Sequence, residues 1–195
     1  MRLLLASKSE ARRQMLEQAG VPFEAVKAPL NEETAKAGLA GLAPRDLAER
    51  LALLKAKSVT TGPADLVLGA DQTLELDDGT MLSKPASRDD AAAQLRRMSG
   101  RTHRLHSAAA MIEGGRPVWH ATESVKLTMR PLGEDFISTY LDAEYEAIRW
   151  SVGGYRIEGP GAQLFSSIEG GHFAVLGLPL LPLLAFLRTR GLLEG

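Results

Sequence analysis

The chain has no cysteine, and that absence removes disulfides, thiolate nucleophiles and zinc–cysteine sites together. Aromatic residues are scarce at 5 %, and charge of neither sign dominates, with 23 Lys and Arg against 24 Asp and Glu. Neither a basic stripe interleaved with aromatics for nucleic acid nor a field suited to an anionic membrane is present, so no nucleic acid and no membrane is expected as partner. Small anionic ligands stay open, because they need only a few local cations. Long hydrophobic runs are missing too. The opening MRLLLASKSEARR holds only four consecutive apolar residues, too few for the core of a signal peptide. The apolar stretch Ala174 to Leu187 is short for a membrane span and is broken by Pro179 and Pro182. It reads as a buried helix or a subunit contact, and the expectation is a soluble, cytoplasmic chain.

What is present is ordinary globular material: 195 residues, 45 % hydrophobic and 24 % charged. That length suits a single domain over 1–195, drawn out into two lobes around a cleft. Arg2 to Ala6 reads as a buried strand running into Ser7-Lys8-Ser9, where either serine can cap a helix that Gly20 stops. Phe23 to Ala28 reads as a second strand, followed by a polar loop with Asn31, Glu32 and Glu33. Pro44 opens a longer helix with Leu47, Leu51 and Leu54 as its apolar stripe and Lys55 and Lys57 flanking it. Asp65 to Gly69 is a strand with Asp71 just past its end, and Leu74–Leu76 and Met81-Leu82 around Asp77-Asp78-Gly79 form a hairpin. A helix from about Asp89 to Met98 follows. Thr102 to Ile112 and Val118 to Met129 read as two long strands, Glu134 to Leu141 as a helix, and an apolar helix closes the chain. Strands and helices alternate without strict βαβ repeats, which predicts a mixed α/β sheet.

The strand–SxS–helix start is the first chemical candidate, because a helix N-terminus offers free N–H groups and partial positive charge to phosphate. Ser7 and Ser9 add hydroxyls. Arg12 and Arg13 sit in a first turn where cations oppose the helix dipole unless an anion joins them. A capped helix with solvated arginines remains the alternative. Neither a Walker A loop nor GxGxxG occurs. Asp71, at the mouth of the strand DLVLGA, is placed as ligand-facing residues of open α/β sheets are, with a turn-forming Asp as the alternative. Lys84 stands out from Lys55 and Lys57 because Pro85 fixes the chain after it. The histidines His103, His106, His120 and His172 have no metal-ligand spacing and read as surface or packing residues. Together, cations and carboxylates at element ends suit a site that neutralises a polyphosphate and handles a water molecule.

These residues resemble those of the Maf-type (septum-formation-inhibitor-like) nucleotide pyrophosphatases. The markers run along nearly the whole chain: LASKSEARRQML, the Glu33 region, LALLKAKSV, GADQTLELDDGTMLSKP, the MSGRTH turn, YRIEGPGAQLF and VLGLPL. The resemblance implies an elongated mixed α/β fold with two lobes around a central cleft, similar to inosine-triphosphate pyrophosphatases. It implies metal-dependent hydrolysis of a nucleoside triphosphate to a monophosphate and pyrophosphate, with Mg²⁺ as the expected ion and Mn²⁺ as the alternative. Carried over by position, Ser7, Ser9, Arg12 and Arg13 line the phosphate site and Lys55 and Lys84 contact phosphates. Glu33 helps hold the metal. Asp71 accepts a proton from the attacking water or acts as a metal ligand. The resemblance also tilts the expectation toward a homodimer.

Branches of that family differ around the base. In the dTTP/UTP branch the first motif reads SPRR, the aspartate is followed by Thr, and the late loop carries Gln. Here Ala11, Gln72 and Glu158 occupy the corresponding positions, and Gln72 and Glu158 resemble the branch acting on 7-methyl-GTP. A carboxylate accepts two N–H bonds from a guanine edge, whereas a uracil or thymine edge offers only one donor. Ala11 departs from that branch, which often has Trp there to stack on a methylated ring, and Glu10 replaces the usual Pro. The expectation is a guanine-type or modified purine triphosphate. The rival readings are the pyrimidine-specific enzyme and a non-catalytic nucleotide-binding regulator of cell division.

Overall fold

A computed structural model describes residues 1–194, and Gly195, the last residue of the expected domain, lies outside the described residues. The chain is α/β, as its alternation of elements implies. Its strands are β1 (Leu3–Ala6), β2 (Glu24–Ala25), β3 (Leu66–Leu76), β4 (Met81–Leu82), β5 (Thr102–Glu113), β6 (Arg116–Met129) and β7 (Phe165–Glu169). They form one mixed sheet in the order β2-β1-β3-β5-β6-β7, with β4 paired to β3. The helices are α1 (Glu10–Gln18), α2 (Glu32–Gly38), α3 (Pro44–Lys57), α4 (Arg88–Met98), α5 (Glu134–Ile148), α6 (His172–Val175) and α7 (Leu180–Thr189). The residues fall into two compact units.

The first unit holds Met1–Gln72, His106–Glu123 and the chain from Gly171 onward. Parallel pairing of β1 with β3 sets Leu3 opposite Leu66 and Leu5 opposite Leu68, so residues of matching parity share a face. One face carries Leu3, Leu5, Leu66, Leu68 and Ala70 against Met15 and Leu16 of α1 and Leu183 and Leu187 of α7. The other face carries Leu4, Ala6 and Val67 against Ala56 of α3, while Ala48 and Ala52 pack on Ala108 and Ala110 of β5. The small residues bring α3 close to the sheet. At Gly69 an added Cβ would lie 2.1 Å from the Ala52 carbonyl oxygen, so only glycine admits the helix here.

The second unit holds Thr73–Leu105 and Ser124–Gly170. The hairpin forms as the sequence implies, with Leu74 opposite Leu82 and Glu75 opposite Met81. Helix α4 starts at an N-cap, Ser87, whose side chain accepts from the Asp90 N–H. It packs beside α5, with Arg88–Asp142 at 2.5 Å and Arg96–Glu134 at 2.7 Å on the solvent side. Such exposed pairs each contribute at most about 1 kcal/mol, so buried Leu95, Met98, Ile137 and Leu141 carry the packing.

Four expectations about elements need correction. The strand read over Phe23 to Ala28 shrinks to two exposed residues of β2. The polar loop at Glu32 and Glu33 is a helix, α2, whose N-cap Asn31 accepts from the Thr34 N–H. Asp71 does not stand past a strand end but inside β3, which runs on to Leu76; pairing across the sheet overrides the turn-like run Gly69-Ala70-Asp71. Helix α5 continues through Ile148, and β7 is a strand that no expected element covers.

Candidate active site

Asp71 and Lys55 form the centre of the site in the first unit. Parity puts Asp71 on the α3 face of β3, two residues beyond Gly69, where α3 approaches most closely. Lys55, in the last turn of α3, meets it there with Nζ 2.5 Å from Asp71 Oδ1, and both side chains are about nine-tenths buried, at 9 % exposure each. A lysine beside an apolar stripe ordinarily snorkels to water; this one is held inside by a buried counter-charge. The same ammonium is 3.2 Å from Glu32 Oε1. One cation therefore sits between two carboxylates. The contact comes from Glu32 in the first turn of α2, next to Glu33, the residue carried over from the resemblance; both glutamates are exposed. Helix α2, unforeseen, is what orders this segment. Lys57 is exposed.

The start of α1 adjoins this group. A small pocket of about 40 Å³, room for a water molecule or two, is lined by Ala6, Ser7, Lys8, Ala28, Leu30, Glu32 and Lys55. Ser9 is the N-cap of α1, accepting from the Arg12 N–H. Ser7 Oγ accepts from the Ser9 N–H at 3.2 Å and from the Arg12 guanidinium at 3.4 Å. The two arginines separate sharply. Arg13 is exposed and paired with Glu10 at 2.6 Å. Arg12 is buried and donates from Nε to the Gly177 carbonyl at 2.7 Å and from Nη1 to the Ala70 carbonyl at 3.1 Å. Burial lowers its pKa, against the opposing pull of Asp71 and Glu32, yet a guanidinium stays charged at any ordinary pH. Arg12 thus places a fixed positive charge beside the end of β1 while tying the 177 segment to β3. Ala11 is half-buried on α1.

Gln72 lies on the opposite face of β3 from Asp71 by strand alternation. Its Nε2 donates to Ser107 Oγ at 2.8 Å and to the carbonyls of Ala174 and Val175, each at 3.0 Å. Ser107 spends its own hydrogen on the Ala174 carbonyl. Every partner of that nitrogen is an acceptor, so the amide orientation is set and Oε1 is left to take other donors. Lys84 and Glu158 belong to the second unit. Both are exposed, Lys84 two residues past the end of β4 and Glu158 in the turn before a short 3-10 segment, Pro160–Leu164.

No group of three or more His, Cys, Asp or Glu able to hold a metal occurs among the described residues. That does not conflict with Mg²⁺, which is usually held by one or two carboxylates plus substrate phosphates rather than by an all-protein cage. Glu32 and Asp71, already gathered on one cation, fit that pattern. No helix among the described residues is long and apolar enough to cross a membrane.

Comparison with known proteins places the chain in a family. The profile of the family described as "Maf-like protein" matches residues 2–190. A "Nucleoside triphosphate pyrophosphatase" of Caulobacter vibrioides is 48 % identical over 191 residues, covering 97 % of this chain and 96 % of its own. One of the same name from Paramagnetospirillum magneticum is 49 % identical, covering 96 % and 98 %. A solved nucleoside-triphosphatase (dITP/XTP pyrophosphatase) of Mycobacterium abscessus covers 98 % of the chain and 96 % of its own at 18 % identity and a TM-score of 0.47, a likeness too slight to argue from.

Proposed function

The chain belongs to the Maf-like protein family, and from that membership we propose that it is a metal-dependent nucleoside triphosphate pyrophosphatase acting on a guanine-type or modified purine nucleotide such as 7-methyl-GTP. The observation that carries the reaction is the buried Asp71–Lys55 pair, with the exposed Glu32 on the same ammonium, beside the capped start of α1. Water attacks the α-phosphorus in line, the bond from that phosphorus to the α–β bridging oxygen breaks, and a nucleoside monophosphate and pyrophosphate leave. Asp71 accepts a hydrogen bond from the water, orients it, and takes its proton as the new P–O bond forms. Lys55, held by Asp71 and Glu32, keeps an ammonium hydrogen for a phosphate oxygen. Ser7, Ser9 and the first N–H groups of α1, with Arg12 and Arg13 behind them, bind phosphate oxygens, and Lys84 adds a further cation. Glu32 and Asp71, rather than Glu33, would hold the divalent cation, Mg²⁺ first and Mn²⁺ as the alternative. When bound, it supplies Lewis-acid neutralisation of phosphate charge.

The base reading rests on two acceptors. Gln72 has committed its amide nitrogen to protein carbonyls and has Oε1 to offer, and Glu158 is a carboxylate. Both favour a base edge rich in N–H donors, which guanine has and uracil and thymine lack. The test is a panel of GTP, 7-methyl-GTP, ITP, ATP, CTP, UTP and dTTP with Mg²⁺, assaying pyrophosphate against free phosphate beside Asp71→Asn. Pyrophosphate from guanine-type substrates, reduced by about 10²-fold or more in Asp71→Asn, supports the reading. Turnover chiefly of UTP or dTTP overturns the base assignment, and nucleotide binding without any pyrophosphate overturns the enzyme.

A further inference from the structure

Two of the sequence markers, MSGRTH and YRIEGPGAQLF, meet inside the second unit. His103 from the first lies on β5 and is buried, with Nε2 2.7 Å from the Tyr155 hydroxyl of the second. Phe165 at the far end of the same marker completes the cluster: its ring stands edge-on to Tyr155 at 4.8 Å and lies 6.0 Å from His103. Both ends of segment 155–165 therefore converge on one imidazole, the arrangement of a compact loop with its ends together.

The rest of the loop is fixed with equal care. Gly153, at φ +80, leads into it, and a Cβ there would lie 2.6 Å from Leu74 Cδ1 and 2.7 Å from Tyr155 Cε1. Only glycine lets Tyr155 seat. Beyond it, Arg156 pairs with Glu144 of α5 at 3.2 Å. Glu158 is exposed on the turn that follows, so its carboxylate is carried by backbone anchored on both sides. Inside the cluster His103 has no partner for Nδ1, and burial holds its pKa down to about 4. A buried neutral ring with one polar contact, the Tyr155 hydroxyl, meets no substrate and acts only through what it holds.

We propose that His103 and Tyr155 form a clasp that sets the position of Glu158 and thereby the preference for the base: they are positioning residues, not catalytic ones. The proposal rests on the reading of Glu158 as the acceptor for the base edge. Its distinguishing feature is that the phosphate chemistry, carried by other residues, should be spared when the clasp opens.

The experiment uses the full chain and four variants, Tyr155→Phe, His103→Leu, His103→Gln and Glu158→Gln. Each is measured for kcat and KM with GTP and UTP, and for amide hydrogen exchange over residues 155–165. Tyr155→Phe and His103→Leu are expected to speed exchange in the loop and to lower the GTP-over-UTP ratio of kcat/KM about tenfold, mainly through KM. His103→Gln, which returns an amide able to donate or accept near the Nε2 position, should recover most of both. Tyr155→Phe conserves the ring and keeps the test available if His103→Leu fails to fold. Unchanged loop exchange in Tyr155→Phe overturns the clasp whatever the kinetics show. Faster exchange with an unchanged ratio, while Glu158→Gln collapses that ratio, overturns its role in base choice. A Glu158→Gln enzyme with unaltered base preference overturns the base reading itself, and the clasp is then judged on exchange alone.

Discussion

Lys55 is buried because Asp71 is, and each makes the other tolerable inside the first unit. Removing the cation leaves a carboxylate without compensation, which typically costs about 3 kcal/mol or more; Lys55→Met should lower Tm by roughly 6–12 °C at this chain length. Asp71→Asn is the milder change, since the ammonium keeps Glu32 at 3.2 Å. Thermal melts of the two variants that came out in the reverse order would contradict this account of the pair. The sequence made Asp71 visible by its place after an apolar strand, yet Lys55 looked like any lysine beside a helical stripe. Its burial follows from α3 crossing at Gly69, a tertiary fact with no local signature. The contact of Glu32 with Lys55 was not legible for a related reason: which of two adjacent glutamates reaches the ammonium depends on the helical phase of α2. His103 supplies a prediction in pH. Its only polar neighbour in the cluster is the neutral Tyr155 hydroxyl, beside the Phe165 ring, and burial lowers its pKa from 6.5 to about 4. A lowered value in the folded state means that the unfolded chain binds the proton more readily. The stability from the neutral ring is therefore complete above pH 6.5 and is lost as pH falls toward 4, by roughly 3 kcal/mol. Denaturant titrations across that window should show the wild type losing about that much more stability than His103→Gln, which has no titrating ring there.

Helix α3 and strand β3 are the elements that build the site, and their contact depends on a residue without a side chain. Gly69→Ala would put a methyl group 2.1 Å from the Ala52 carbonyl oxygen and 2.6 Å from the Ala56 nitrogen. Backbone atoms of a buried helix cannot swing aside, so α3 must shift and carry Lys55 with it. Kinetics should show kcat/KM falling by about 10²-fold and melts a loss of about 1–3 kcal/mol from overpacking. Gly38→Ala is the control: an added Cβ there meets nothing within 4 Å, and the change should be neutral or slightly stabilising. Elements whose signals are local were readable in advance. A serine cap on α1, Pro44 opening α3 and the Asp77-Asp78-Gly79 turn each act through neighbouring backbone; the last two stand where the sequence put them, and of the two candidate serines Ser9 is the cap. Those whose limits depend on distant partners were not. Strand β3 extends through Asp71 because it is paired, in spite of its turn-like residues. Strand β7, FSSIE, is exposed throughout all but its first residue, and so has no buried-face alternation to reveal it.

Across the whole molecule, the near balance of 23 basic and 24 acidic residues supplies no global field, so the proposed triphosphate substrate would be neutralised locally, by a few side chains and the ion proposed to come with it. The mixed α/β class was legible from the succession of elements, and the family from motifs spread over the chain. The division into two units, each assembled from separate stretches of sequence, leaves no trace in composition, because the boundaries fall inside strands β3, β5 and β6 and not in a linker. The absence of a three-ligand cluster among the described residues has a consequence for stability that can be measured. Two carboxylates already sharing the ammonium of Lys55 hold a bare divalent ion weakly, so Mg²⁺ alone at millimolar concentration should move Tm by less than about 1 °C. A non-hydrolysable α,β-methylene guanosine triphosphate brings the missing oxygens. With Mg²⁺ and the analogue present at about 100 times its Kd, the folded state gains about 2.7 kcal/mol, a rise in Tm of roughly 5–11 °C. Glu32→Gln should shrink that rise and Glu33→Gln should leave it intact. A large shift from Mg²⁺ by itself would reveal a preformed protein cage and contradict the two-carboxylate site, while a rise untouched by Glu32→Gln and abolished by Glu33→Gln would return the metal to Glu33.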